Sequence, residues 1–150
     1  MIAVDIRRLT SKDFALAVTS IKRLKPASTT REIVSRFLSR SDHHFIAAVE
    51  GGKPVGFALV YELQRIDQNR PMMFLYEIGV SEAHRRRGVG RAMIEHVKRA
   101  SSERNAHKVF VIASRTNEAA LRLYDSAFGA AAQKQESIVY SLQATNSSGE

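Results

Sequence analysis

Between residues 74 and 97, FLYEIGVSEAHRRRGVGRAMIEHV, the spacing of apolar residues changes from that of a strand to that of a helix. The segment 72–80 reads as a strand, whereas Val89, Met93, Val97 and Ala100 trace one face of a helix. The two meet through RRRGVG. A helix N-terminus carries unpaired N–H groups and a partial positive charge, so it can receive a diphosphate where small residues allow approach. Gly88 and Gly90 would permit that approach, and Arg85, Arg86 and Arg87 add positive charge beside it.

Around this junction the chain reads as a β-meander followed by a β-α-β unit. Residues 3–9 form an edge-like strand, and Thr10 with Asp13 has capping-box spacing before Phe14, Ala17, Val18, Ile21 and Leu24, a helical stripe ended by Pro26. Thr29 with Glu32 is expected to cap a second helix carrying Ile33, Val34, Phe37 and Leu38. His44–Glu50 and Pro54–Leu63, joined by Gly51-Gly52, predict a hairpin, and the short link to residues 72–80 predicts a third antiparallel neighbour. HKVFVIAS from His107 predicts a buried-type strand, and Ala120, Leu123, Tyr124 and Ala127 a last helix. Residues 133–142 are expected to close the sheet.

Two phosphate-binding patterns fail at the junction. A P-loop needs four residues between its glycines and then Lys-Ser or Lys-Thr, but one residue separates Gly88 from Gly90 and Arg91 follows. The dinucleotide fingerprint needs glycine where Met93 stands. Composition removes further classes. With no cysteine there is no disulfide framework, thiol nucleophile or Cys-based zinc site. The five histidines lack ligand spacing, so no metal is expected. The start of the chain lacks the pattern of a secretory signal, and no apolar run approaches a membrane span; these readings point to a cytoplasmic protein without a membrane partner.

RRRGVG resembles the Q/R-x-x-G-x-G/A pyrophosphate loop of the GNAT acetyltransferases, with Arg85, Gly88 and Gly90 at its defining places. TNEAALRLYDSAFG resembles that family's second signature, N-x-x-A-x-x-L-Y, here Asn117, Ala120, Leu123 and Tyr124. One departure is Phe128 where the family commonly has glycine, with Gly129 following. The resemblance covers residues 1–142 as a single domain, leaving 143–150 as a flexible tail. It implies an α/β (α+β) GNAT fold: a mixed, mostly antiparallel central sheet with a splayed strand pair and flanking helices.

The same resemblance implies acetyl-CoA as co-substrate, its pantetheine lying along Ile78, Gly79 and Val80. Its diphosphate would be received by Arg85, Arg86, Arg87, Gly88, Val89, Gly90 and Arg91, with Asn117 and Tyr124 further cofactor contacts. The acceptor must attack as a free amine. An ammonium with a pKa near 10 is protonated roughly a thousandfold at neutral pH, a cost of about 4 kcal/mol unless a base assists. Glu77 is the expected base. Strand alternation puts Leu75, Glu77 and Gly79 on one face and Tyr76 and Ile78 on the other. Tyr124 is the expected acid for the departing thiolate.

Within the family, the Tyr76-Glu77 pair before the loop looks most like the aminoglycoside 3-N-acetyltransferase branch, which more often has aspartate there. Charge along the chain agrees with a cationic acceptor: residues 41–83 hold three basic and six acidic residues, between two basic blocks. Glu62, Asp67, Glu77 and Glu136 are the expected acceptor contacts. A polyamine, a peptide N-terminus or lysine stands as the alternative acceptor. A nucleic-acid-binding module built on the net charge of +8 is the rival class, but its specific signatures are missing. A sensor that binds acyl-CoA without turnover is a third reading, and homodimerisation is left open.

Overall fold

In the computed structural model, which describes residues 3–144, one mixed sheet divides two apolar layers. Its strands are β1 (Asp5–Leu9), β2 (His43–Glu50), β3 (Lys53–Leu63), β4 (Met72–Val80) and β5 (Lys108–Val111), in spatial order β1-β2-β3-β4-β5. The first four are antiparallel neighbours, and β5 runs parallel to β4. The helices are α1 (Phe14–Leu24), α2 (Arg31–Ser39), α3 (Val89–Glu103) and α4 (Glu118–Phe128). None of the helices among the described residues is long and apolar enough to cross a membrane.

Local chemistry accounts for most boundaries. Thr10 and Asp13 form a reciprocal capping box over the 3-10 turn that leads into α1. The β2–β3 hairpin turns through Gly51 and Gly52, both at positive φ, as a two-residue turn requires. Helix α4 ends at Phe128, and Gly129, at φ 74°, leads the chain away; the expected displacement of the family's glycine by one residue is therefore accommodated at the helix end.

Three expectations are corrected. Helix α2 is capped one residue later than the Thr29–Glu32 spacing suggested: the Thr30 hydroxyl accepts from the Ile33 N–H at 3.2 Å. Residues 133–142 join no ladder, and Ile138, Val139, Tyr140 and Leu142 are exposed. Apolar alternation there supplies strand propensity, but a strand also needs a partner backbone, which this segment does not reach. Of the expected 143–150 tail, residues 145–150 lie outside the described residues.

The third correction lies in β4. Leu59 is opposite Glu77 but Val60 is opposite Leu75, so Tyr76 is an extra residue, a β-bulge. The bulge reverses the alternation midway. Leu75 packs with Met73 in the α3-side core, whereas Glu77 points to the α1/α2 side, where it meets Lys25. Beyond the bulge, Ile78 and Val80 pack on the α3 side and Gly79 lies against Phe57 on the other.

Candidate active site

The β4–β5 ladder pairs only Met72–Leu75 with Lys108–Val111. From Tyr76 onward β4 has no partner on that edge among the described residues, so the strands part and leave the backbone of residues 77–80 unladdered toward the opening. This is the splayed pair that the resemblance implied. Phe74 and Phe110 stack at 4.7 Å on the last shared stretch, holding the strands together just before they separate.

At the C-terminal end of β4 the chain turns through a 3-10 segment into α3. Arg85 Nε donates to the Val80 carbonyl at 3.3 Å, while Arg85, Arg86, Arg87 and Gly88 are all exposed. Gly88 caps α3 at φ 79°, and a Cβ there would meet nothing within 4 Å. Its position is therefore a conformationally demanding one beside open space, next to the free N–H groups of a fifteen-residue helix. Val89 and Gly90 are buried instead. Gly90 faces Leu123 of α4, so the glycine there serves helix–helix contact more directly than anion approach. Arg91 Nη1 donates to Ser126 Oγ at 3.2 Å, a second tie between α3 and α4.

These residues fit a diphosphate-bearing cofactor: free helix N–H groups, an exposed cationic rim, an unobstructed glycine and an open strand edge leading to them. Asn117 is occupied differently from the expected cofactor contact. Its Oδ1 accepts from the Ala120 N–H at 3.1 Å and caps α4. That cap orients the helix bearing Tyr124. Tyr124 packs on the α3-side core beside Phe128, and burial raises its phenol pKa.

On the opposite sheet face, both Glu77 carboxylate oxygens accept from Lys25 Nζ, at 2.5 and 2.9 Å. Lys25 stands immediately after α1, and its neighbours line an open pocket of about 260 Å³ that includes Ile21, Ile33, Phe37, Phe45, Leu59 and Tyr61. The acidic side chains expected to gather around the acceptor are not brought together. Glu62, one of them, is buried on the α3 side, where its carboxylate accepts from Arg104 Nε at 2.8 Å and lies 2.8 Å from His44 Nε2. Alternation along β3 explains this: Leu59 and Tyr61 face the α1/α2 side, and Val60 and Glu62 face away. Asp67 sits in the β3–β4 connection paired with Arg65 at 2.8 Å, and Glu136 is exposed and paired with Arg115 at 2.6 Å.

Lys25 carried no sequence signal as a site residue. Only the path of the chain places it on Glu77, 52 positions away. Among the described residues no group of three or more His, Asp or Glu side chains could hold a metal.

The model of the acetyltransferase (GNAT) family matches residues 5–130. No curated protein matches the chain closely enough to count as a relative. Among solved structures, an aminoglycoside acetyltransferase from an uncultured soil metagenomic sample, crystallised with trehalose, is similar at TM-score 0.82 and 23% identity, over 93% of this chain and 97% of that one. Another aminoglycoside acetyltransferase of the same type of source gives 0.80 and 26%, over 95% and 99%. A ribosomal-protein-alanine N-acetyltransferase from Brucella melitensis biovar Abortus 2308 gives 0.72 and 24%, over 93% and 100%. With the family model covering most of its length and the splayed strands, glycine turn and helix in the matching order, the chain belongs to the GNAT acetyltransferase family, whose co-substrate is acetyl-CoA.

Proposed function

We propose that this chain is an N-acetyltransferase in which a primary amine attacks directly in a ternary complex, with Glu77 taking the amine's proton. The observation that carries this reading is the Lys25–Glu77 contact: the carboxylate at the splayed end of β4 already holds an ammonium group. A group that binds a protonated amine and can accept its proton is what an acceptor with a pKa near 10 requires.

Acetyl-CoA supplies the activated acetyl group as a thioester. Arg85, Arg86, Arg87, Gly88, Val89, Gly90 and Arg91 form the segment that would hold its diphosphate, and Ile78, Gly79 and Val80 the strand edge for its pantetheine. Backbone N–H groups at that edge are fixed dipoles, able to stabilise developing negative charge on a carbonyl oxygen without reorganising. Tyr124 acts as the acid for the leaving sulfur. Burial raises its pKa, so its hydroxyl stays protonated at neutral pH and above. The Asn117 cap fixes its helix.

For the acceptor, the reading favoured by the solved neighbours is an aminoglycoside, modified at its 3-amino group according to the Tyr76-Glu77 pair. One soil enzyme of similar fold was crystallised with sisomicin. The pocket favours a second reading. Its lining is mostly aliphatic and aromatic, and Glu77 is the one acid among the four expected contacts that borders it through Lys25. A lysine side chain or peptide N-terminus, bringing apolar surface with a single amine, suits that lining better than a polycation. An acetyl-CoA consumption assay across aminoglycosides, polyamines and short peptides ranks these directly. Turnover of none of them would overturn the enzyme reading in favour of a sensor.

A further inference from the structure

We propose that Lys25 is a self-acetylation site: in the absence of another acceptor, its own amine takes the acetyl group. The inference rests on the reading of Glu77 as base. An acceptor nitrogen must come within hydrogen-bond reach of that carboxylate, directly or through one water. Lys25 Nζ is already there, bonded to both oxygens. It is a primary amine, chemically the class of group the enzyme acylates, and it is half-buried at the mouth of the pocket that would admit a free acceptor.

The placement is built by three parts of the fold. Helix α1 ends at Leu24, and Pro26 prevents the chain from continuing it. Lys25 is extended, with its N–H on the Ile21 carbonyl, which aims the side chain across the sheet face rather than along the helix. Glu77, opposite Leu59 just beyond the β4 bulge, then points to the same face, whereas Leu75 before the bulge points to the other.

In the step, the Lys25 ammonium first loses one proton to Glu77. The freed lone pair forms a bond to the thioester carbonyl carbon, and the carbon–sulfur bond breaks with its electron pair going to sulfur. Nitrogen sheds a second proton as the amide forms. One of the two protons returns to sulfur and the other passes to solvent, giving Nε-acetyl-Lys25, free CoA thiol and one released proton. No further reactant is required. Self-acetylation removes the charge that competes with incoming amines for Glu77, so the modified enzyme would differ from the fresh one in its affinity for acceptors.

The experiment uses the full chain with acetyl-CoA and no added amine, followed by intact mass and peptide mapping. The expected result is a gain of one acetyl group on Lys25, at a rate per molecule that stays constant when protein concentration is varied about tenfold, as for an intramolecular reaction. The exposed Lys12 and Lys22 serve as internal controls for purely chemical acetylation and should lag behind it. Lys25→Arg keeps the charge and should show no gain at that position. Glu77→Gln should slow Lys25 modification by about tenfold or more. A readout independent of turnover is labelling of the free protein with an amine-reactive reagent, where Lys25 should be protected relative to Lys22 and lose that protection in Glu77→Gln.

Acetylation of Lys25 no faster than Lys22, or none at all, overturns the proposal. The same variants assayed with the best external acceptor separate the two ideas. Loss of turnover in Glu77→Gln beside an unmodified wild-type Lys25 removes self-acetylation alone. Wild-type turnover in Glu77→Gln removes the base, and this proposal with it.

Discussion

Gly90 of α3 packs directly on Leu123 of α4: a Cβ built at residue 90 would lie 3.1 and 3.2 Å from the two Leu123 methyl carbons and 3.7 Å from Val80 Cγ2. The bare backbone at residue 90 lets α4 approach, and α4 carries Tyr124. Two residues earlier, Gly88 faces open space at positive φ. Two glycines of one motif therefore answer different physical demands.

Their substitutions should differ accordingly. Gly90→Val crowds a buried helix contact, and overpacking of that kind costs about 1–3 kcal/mol, so a lower melting temperature is expected together with weaker acetyl-CoA binding as α4 is displaced. Gly88→Ala adds no clash within the protein but holds a side chain in the left-handed region, at about 1–2 kcal/mol, and places a methyl group where the diphosphate would approach. Thermal melts and calorimetric titration with acetyl-CoA check both. Unchanged affinity in a folded Gly88→Ala protein would remove the loop from the cofactor site.

Ligand-induced stabilisation distinguishes the enzyme from a nucleic-acid binder. A ligand that binds only the folded state at about a hundred times its Kd adds about 2.7 kcal/mol. Acetyl-CoA should therefore raise the melting temperature, whereas a random DNA duplex at physiological salt should not. The reverse pattern would favour the binding module, whose affinity would fall steeply with added salt.

The buried His44–Glu62 pair, with the exposed Arg104 on its outer side, should behave as a structural element. Glu62→Ala leaves the buried His44 Nε2 without its partner, and a buried polar group left unsatisfied costs about 1–3 kcal/mol, so the variant is expected to lower stability. Its effect on KM for the acceptor, measured well below the melting transition, should be small, because Glu62 faces away from the pocket. His44 adds a pH signature. Burial holds its pKa below the usual histidine value, against the smaller opposing effect of its bond to Glu62. The unfolded chain then binds a proton, from about pH 6.5 downward, that the folded chain accepts only at lower pH. Stability present above about pH 6.5 should thus be lost as pH falls through the folded value, and His44→Asn should flatten that slope in denaturant titrations.

Sequence patterning was a good guide wherever a local rule governs. The hairpin glycines, the β4 limits and the α3 stripe all follow from short-range periodicity and turn chemistry, and the structure places them as expected. The face carried by Glu77 was legible too, but Leu75 beside it was not. One extra residue in a strand reverses alternation, and no residue type at Tyr76 announces it. Glu62 was misplaced by treating acidic composition as a surface, when strand parity sends it to the other side of the sheet. Lys25 and the unpaired 133–142 segment depend on contacts distant in sequence, which periodicity does not encode.

Glu77 and Tyr124 approach the splayed strands from opposite faces of the sheet, and their proposed roles separate by pH. Glu77→Gln keeps size and polarity but cannot accept a full proton, so kcat should fall by about a hundredfold or more at neutral pH. Its loss also releases Lys25, so the variant is best compared with Lys25→Met and with the double variant, which distinguish a missing base from a freed ammonium. The Glu77→Gln deficit should shrink as pH rises toward the acceptor's pKa near 10, where the amine is already neutral and little proton transfer remains to be assisted. Tyr124→Phe retains the packing ring and loses only the hydroxyl, so its deficit should be smaller. A CoA thiol with a pKa near 8.5 also leaves more readily unaided at high pH, and the wild-type advantage of the phenol should narrow above that value. Because burial raises the Tyr124 pKa, the wild-type acid itself should persist beyond the ordinary tyrosine range, leaving no descending limb from this group below about pH 10. Profiles of kcat against pH for the wild type and each variant, with the best acceptor from the panel, provide the check. A Glu77→Gln enzyme matching wild type across the neutral range would exclude Glu77 as the base, and a Tyr124→Phe enzyme matching it would assign protonation of the sulfur to solvent.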